Sequence, residues 1–155
     1  SFLKLIKTHK GIFYQDQLLA LSVSGTILLM VKLSGDDSKN IIYFNLLFGS
    51  CIWLSSFFAH NLTLRTKTVV YWILLFIGFI LLGINPKSNL IYLYYIITYM
   101  GYWILYHKYT VEIQTKTPEN SIGAIMAARN LAIGITLSIG ELFGGYISQI
   151  VNLQI

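Results

Sequence analysis

The chain has 155 residues, of which 55% are hydrophobic and 11% charged, and its mean hydropathy is +0.66. This composition excludes an ordinary soluble domain, and it predicts a protein with several membrane helices. The formal net charge of +5 does not indicate nucleic-acid binding, because most of the cations fall between apolar runs, as in the loops of membrane proteins.

A basic segment opens the chain and is predicted to lie at a membrane surface. Residues 1–10 carry Lys4, Lys7 and Lys10 beside apolar side chains, a pattern typical of a segment that contacts lipid headgroups. The sequence starts at Ser1, and no signal-peptide pattern precedes the first apolar run. We therefore expect it to be part of a longer chain.

The first predicted membrane helix, residues 13–33, has a polar side. Gln15 and Ser22 lie on one helical face, which makes them candidates for a substrate or proton path. Asp16 lies near the predicted interface, where a carboxylate stays hydrated at little cost. We expect it to be a solvated charge at the helix start.

Two further spans are predicted from apolar runs. The second covers residues 41–60 and the third 69–84, and the cytoplasmic loop between them carries Arg65 and Lys67. Cys51 is the single cysteine and lies within the second run, so neither a disulfide nor a thiolate metal site is expected.

The fourth predicted span, residues 90–107, is aromatic. Tyrosines recur there at intervals of three and four residues, which places five phenols on one helical face. They are Tyr92, Tyr95, Tyr99, Tyr102 and Tyr106. Hydroxyl groups deep in a bilayer need partners, so this face should contact either neighbouring helices or a cavity. The three central tyrosines are the candidates for a substrate path.

The last span, residues 122–151, has a face of small and polar residues within about 40° of one line. Its members, the small-residue face, are Gly123, Ala127, Asn130, Gly134, Ser138, Glu141, Gly145 and Ser148. Such a face predicts close contact with another helix or with a water-filled path. We assign helix packing and gating to its glycines and to Gly140 and Gly144, and a place on the path to Asn130.

Two charged residues interrupt this last span. An ionisable group near the middle of a membrane costs on the order of 3 kcal/mol or more. Glu141 is therefore either a proton or substrate group, or a neutral, hydrogen-bonded structural residue. Arg129 lies about 18 Å away along the helix axis and cannot pair with Glu141. We expect Arg129 to extend to the membrane surface rather than to anchor a substrate.

The distribution of cations predicts the orientation of the chain. Loops on the side of Ser1 hold seven cations and those on the opposite side hold three. This difference places Ser1 in the cytoplasm and Ile155 outside. We expect an integral protein of the bacterial inner membrane.

A family resemblance lies in the connection before the last helix and in that helix itself. The run Ile113-Gln114-Thr115-Lys116-Thr117-Pro118-Glu119 through Gly123 resembles the IQ-x-x-TPE-x-x-x-G motif of the major facilitator superfamily. The run Gly140-Glu141-Leu142-Phe143-Gly144-Gly145 resembles its G-P-x-x-G-G motif, with Glu141 in the place of proline. The resemblance implies helices seven to eleven of a twelve-helix transporter, closest to exporters of the macrolide and siderophore type.

Two functional hypotheses follow. The first is part of a secondary transporter that moves a small solute by alternating access, with proton-coupled export as one form. Its partners would be the lipid bilayer, the other half of the same transporter and a small-molecule substrate. The alternative is a small structural or assembly subunit of a membrane complex. The sequence shows no nucleotide loop, metal-ligand cluster or nucleophile with a base, so we expect neither an enzyme nor a cofactor.

Overall fold

The computed structural model describes residues 7, 10–24, 38–65, 68–84 and 89–150, without the side chains of 38, 58–65 and 147–150. These residues form helices and their connections, with no strand among them, so the predicted all-α fold class is confirmed at that level. The helices are α1 (Lys10–Ser24), α2 (Ser38–Arg65), α3 (Thr68–Ile84), α4 (Ile91–Lys116) and α5 (Glu119–Ile150).

Two of the described helices are long and apolar enough to cross a bilayer. The stretches concerned are Lys39–Phe57 of α2 and Glu119–Tyr146 of α5. Helix α3 is apolar but shorter, with 17 residues. Length and composition by themselves therefore permit membrane crossings by α2 and α5.

Two helices extend past their predicted ends. Helix α2 continues to Arg65 and α4 continues to Lys116, through segments that were expected to be connections. In α4, Tyr109 and Ile113 follow Leu105 at four-residue spacing, and all three are buried. Buried residues thus recur at helical spacing in the more polar sequence after residue 107, and the helix continues through it.

The predicted break before the last helix is reduced to two residues, Thr117 and Pro118. Proline has no N–H to donate and disfavours helical geometry in the residue before it, which ends α4 at Lys116. The backbone N–H of Ser121 donates to the Pro118 carbonyl oxygen at 2.9 Å and so closes the first turn of α5.

The chain divides into two compact units. The first contains α1, the part of α4 from Tyr109 onward, and α5. The second contains α2, α3 and α4 as far as Lys108.

In the first unit, α1 packs along α5 in a parallel direction. Among the contacts between the two helices are three whose residue numbers rise together along both. They are Asp16 with Arg129, Gln17 with Thr136, and Ser24 with Gly140. At the last contact, α5 comes so close to Ser24 that a side chain on Gly140 would displace it.

In the second unit, aromatic rings join α2 to α4, also in a parallel direction. The contacts are Phe44 with Tyr92 and Tyr95, and Phe48 with Tyr99 and Trp103, at centroid distances of 5.0 to 5.7 Å. Near the start of both helices, the hydroxyl of Tyr92 donates to Oδ1 of Asn40 at 2.9 Å. The tyrosine face of α4 is therefore covered, at least in part, by the phenylalanines of α2.

Helix α3 packs against α4 in the opposite direction. Gly78 of α3 lies against Thr98 of α4, while Gly101 of α4 lies against Tyr71 and Leu75 of α3. The numbers fall along one helix as they rise along the other, so the pair is antiparallel. A glycine in each helix allows the two backbones to approach closely.

Candidate functional site

Asp16 of α1 and Arg129 of α5 form a buried ion pair. Arg129 is 0% exposed and Asp16 is 1% exposed. The guanidinium donates through Nε to Oδ2 of Asp16 and through Nη2 to Oδ1 at 2.9 Å. Because two parallel hydrogen bonds join a planar cation to a planar anion, the pair fixes an angle as well as a distance between the helices.

Helical periodicity brings both groups to the contact between α1 and α5. On α1 the buried residues recur every three or four positions; they are Asp16, Leu19, Ala20, Val23 and Ser24. On α5, Ile125 and Ile133 are buried one turn before and after Arg129. Both charges therefore lie in stripes that are otherwise largely apolar and are removed from solvent with them.

Thr110 brings a third segment to the pair. Nη1 of Arg129 donates to the hydroxyl oxygen of Thr110 at 2.9 Å. Thr110 lies in the extension of α4 and belongs to the same compact unit as α1 and α5. We refer to Asp16, Arg129 and Thr110 as the ion-pair cluster.

A second polar contact lies beside the cluster. The hydroxyl of Thr136 donates to Oε1 of Gln17. The amide nitrogen Nε2 of Gln17 is buried and has no hydrogen-bond partner in the part of the chain that the structure describes. The packed surface between α1 and α5 is thus polar at adjacent positions, and one donor on it is unsatisfied.

The chemistry open to the cluster follows from its charges. An arginine with a two-point carboxylate partner can exchange that partner for the carboxylate or phosphate of a ligand, because each of these groups presents two oxygens that accept both guanidinium N–H bonds. An aspartate that loses its cation in an apolar environment favours its protonated form. The cluster is therefore suited to bind an anionic group or to take up a proton whenever its two helices separate.

The expectations for these two charges were wrong, because neither Asp16 nor Arg129 is at a hydrated surface. Each was placed from its own distance to a helix end, whereas a buried charge is stabilised by an opposite charge from anywhere in the fold. Asp16 is the only acidic residue of α1, and Arg129 is the only cation of α5. That complementarity is the sequence signal that identifies the pair.

The other predicted path residues of this unit lie apart from the ion-pair cluster. Gln15 and Asn130 are exposed, and Glu141 is half-buried. The hydroxyl of Ser22 donates to the carbonyl oxygen of Leu19 at 2.7 Å, within its own helix. Their role in a substrate or proton path stays a prediction.

The predicted packing glycines of α5 have different surroundings. Gly140 lies against α1, as described above. Gly123 and Gly134 are exposed, and a Cβ built on either would meet nothing within 4 Å. Gly144 and Gly145 are half-buried. Much of the small-residue face is thus uncovered in the described part of the molecule.

The predicted path tyrosines are gathered in the second unit. Tyr95 and Tyr99 are each 1% exposed and Tyr102 is 6% exposed. The rings of Tyr95 and Tyr99 lie 4.3 Å apart, and Tyr102 follows Tyr99 at 6.5 Å. The contacts show ring packing, while lining of a substrate cavity stays a prediction. Of the predicted cytoplasmic loop, Arg65 is the last residue of α2, and Lys67 lies outside the described residues.

Comparison of the chain with protein-family models, with curated proteins and with solved structures gives no match. Within the described ranges, no three His, Cys, Asp or Glu side chains are grouped so that they could hold a metal ion. The single cysteine, Cys51, is buried in α2 as a free thiol.

Proposed function

We propose that the chain is the membrane-embedded part of a secondary transporter that moves a small solute by alternating access. The observation that carries the proposal is the buried ion pair of Asp16 and Arg129 between two helices that are largely apolar. Ionisable side chains inside membrane bundles are costly, and they mark substrate paths, ion paths and proton relays. Asp16 and Arg129 are such side chains if α1 and α5 lie in a bilayer.

The directions of the packed helices support five successive crossings. If α1 to α5 each cross the membrane in turn, then α1 and α5 must be parallel, α2 and α4 must be parallel, and α3 and α4 must be antiparallel. The contacts within each unit have these three relations. Helices α1, α3 and α4 would then cross together with α2 and α5.

The outer surfaces of the helices support a lipid environment. Large apolar side chains that are 45% or more exposed occur on α2, α3 and α5. Among them are Leu46, Trp53 and Phe57 of α2, Ile73, Phe76 and Ile80 of α3, and Leu131, Leu142 and Phe143 of α5. Exposed apolar surface of this extent is unfavourable in water and is solvated by lipid tails.

In this mechanism, rocking of two helix bundles opens a central path alternately to each side of the membrane. The second bundle would be the other half of the transporter, as the resemblance to the major facilitator superfamily implies. Arg129 would exchange Asp16 for an anionic group, or Asp16 would take up a proton as the guanidinium moves away. Glu141, half-buried on the small-residue face, is a second candidate for proton uptake in export.

The proposal is tested by measuring transport by the complete protein in proteoliposomes. An imposed pH gradient drives the transport, and a panel of solutes is offered. The decisive variant exchanges the charges, Asp16→Arg with Arg129→Asp, because it keeps a buried ion pair. We expect this variant to insert and fold but to lose transport. Glu119→Gln is the control, since it removes an exposed carboxylate from the same unit. Transport by the exchanged variant at the wild-type rate would show that the pair is structural.

Glu141 is tested by Glu141→Gln, which nearly keeps shape and hydrogen bonding but cannot ionise. We expect proton-dependent transport to stop while insertion persists. Preserved proton-dependent transport would assign Glu141 a structural role. Glu141→Ala is less informative, because it also removes contacts from the helix surface.

The alternative function, a structural or assembly subunit, is favoured by one observation. Nothing within 4 Å meets a Cβ built on Gly123 or Gly134, so the small-residue face is open to a helix from another chain. The full reading frame separates the two functions. Six further apolar spans before Ser1 support the transporter, and a native start near Ser1 supports the subunit.

A further inference from the structure

An open cleft of about 400 Å³ lies at the start of α1. It is lined by Lys7, Lys10, Phe13, Tyr14 and Gln17. Both lysines are exposed. The cleft therefore combines two cations, two aromatic rings and an amide where α1 begins.

The charge of the cleft is positive and uncompensated in the described part of the chain. No carboxylate lines it. The nearest acidic residue along α1 is Asp16, which is buried and already paired with Arg129. Neither Lys7 nor Lys10 has an acidic partner in the described ranges, in contrast to Lys116, which is bonded to Glu112 at 2.6 Å.

The aromatic side chains give the cleft a second chemical character. The ammonium group of Lys10 lies 5.7 Å from the ring centroid of Tyr14, a distance at which the ring attracts the cation and orients it. Tyr14 is 62% exposed. Aromatic rings next to lysines are typical of the level at which lipid headgroups meet hydrocarbon. Gln17 is also part of the lining, and its buried amide nitrogen has no hydrogen-bond partner among the described residues.

We propose that this cleft binds the phosphate headgroup of an anionic phospholipid. Lys7 and Lys10 hold the phosphate, and the ring of Tyr14 keeps Lys10 in place. The proposal depends on α1 lying in a membrane but not on transport, so a failure of the transport experiments leaves it standing.

Binding is measured on the complete purified protein in detergent, by native mass spectrometry with short-chain phosphatidylglycerol and phosphatidylcholine. We expect phosphatidylglycerol to bind and phosphatidylcholine to bind much more weakly, because only the former carries net negative charge. Inorganic phosphate is added as a competitor. Displacement of phosphatidylglycerol by equimolar phosphate would overturn the lipid assignment and indicate a site for a free anion. Equal binding of the two lipids would also overturn it.

The variant Lys7→Gln with Lys10→Gln locates the site. Each cation near an anionic headgroup contributes about a fivefold gain in affinity, so the double variant should lose roughly 25-fold. The control is Lys39→Gln with Lys116→Gln, which removes the same charge from two other exposed lysines. An equal loss in the control would overturn the proposal, because the attraction would then be diffuse.

A third comparison tests whether the Tyr14 ring contributes to lipid binding. Tyr14→Leu should weaken phosphatidylglycerol binding severalfold, because Lys10 loses the surface that orients it, whereas Tyr14→Phe should leave binding unchanged. Unchanged binding in Tyr14→Leu would remove the aromatic ring from the site.

Discussion

At the scale of single residues, the ion-pair cluster allows two opposite charges, Asp16 and Arg129, to be buried together. Removing one member leaves the other buried without compensation, so Arg129→Met should lower the free energy of unfolding by about 3–5 kcal/mol. Adding Asp16→Leu should restore most of this loss, because an apolar pair of similar volume is often equally stable. Denaturant unfolding in detergent, followed by circular dichroism, measures the free energy of unfolding of both variants.

A surface ion pair in the same chain provides the control for this experiment. Lys116 and Glu112 are partly exposed and four residues apart on one helix. Lys116→Met should change stability by only about 0.5 kcal/mol, since solvent screens such pairs. Equal effects at Lys116 and Arg129 would mean that Arg129 is solvated.

The tyrosines of α4 allow a prediction that separates packing from substrate contact. Replacement of Tyr99 and Tyr102 by Phe removes two hydroxyls and keeps the rings that contact one another and Phe48. In the complete protein this change should alter substrate preference while expression is maintained. Unchanged transport of every substrate would show that the face serves packing alone.

Some roles of single residues could be predicted from the sequence and others could not. The tyrosine face was predicted correctly as a face, because helical spacing is a local property that any window of the sequence displays. The pairing of Asp16 with Arg129 joins positions 113 residues apart, and a single-helix projection contains no information about partners on other helices. A balance of charges over the whole apolar part of the chain would have been needed to find it.

At the scale of the helical elements, glycines set how closely α3 and α4 approach. A Cβ on Gly78 would lie 2.8 Å from the backbone nitrogen of Thr98, so Gly78→Ala requires a backbone to move. We expect it to lower the free energy of unfolding by about 1–3 kcal/mol. Thermal unfolding of the purified protein measures this loss.

Gly83 of the same helix is the matched control. It is exposed, and a Cβ there would meet nothing within 4 Å. Gly83→Ala should be neutral or stabilise α3 by up to about 1 kcal/mol, because alanine is the better helix former. Similar destabilisation by both substitutions would contradict the close approach at Gly78.

The helix ends show where sequence patterns lose their predictive value. Pro118 marks the end of α4 correctly, since a missing backbone donor acts locally. The turns of α4 before it were predicted as a connection because they carry more polar residues. Tyr109 and Ile113 hold them in the fold, and their burial depends on neighbours that the sequence does not identify.

At the scale of the whole molecule, the proposed membrane architecture rests on the directions of the packed helices. The sequence predicted five apolar spans from composition; among the residues that the structure describes, the stretches in α2 and α5 satisfy length and hydropathy together. The parallel and antiparallel contacts within the two units provide an independent argument for alternating crossings. Both proposals made above depend on that architecture.

Membrane topology tests this claim most directly, by labelling single cysteines with a membrane-impermeant maleimide in intact cells. The background is Cys51→Ser, which removes the only native thiol. Cysteines in place of Asp37 and Pro86 should be labelled from outside, and those in place of Arg65 and Lys116 only after permeabilisation. Labelling of positions 65 and 86 from the same side would contradict the account, because α3 would then not cross the membrane.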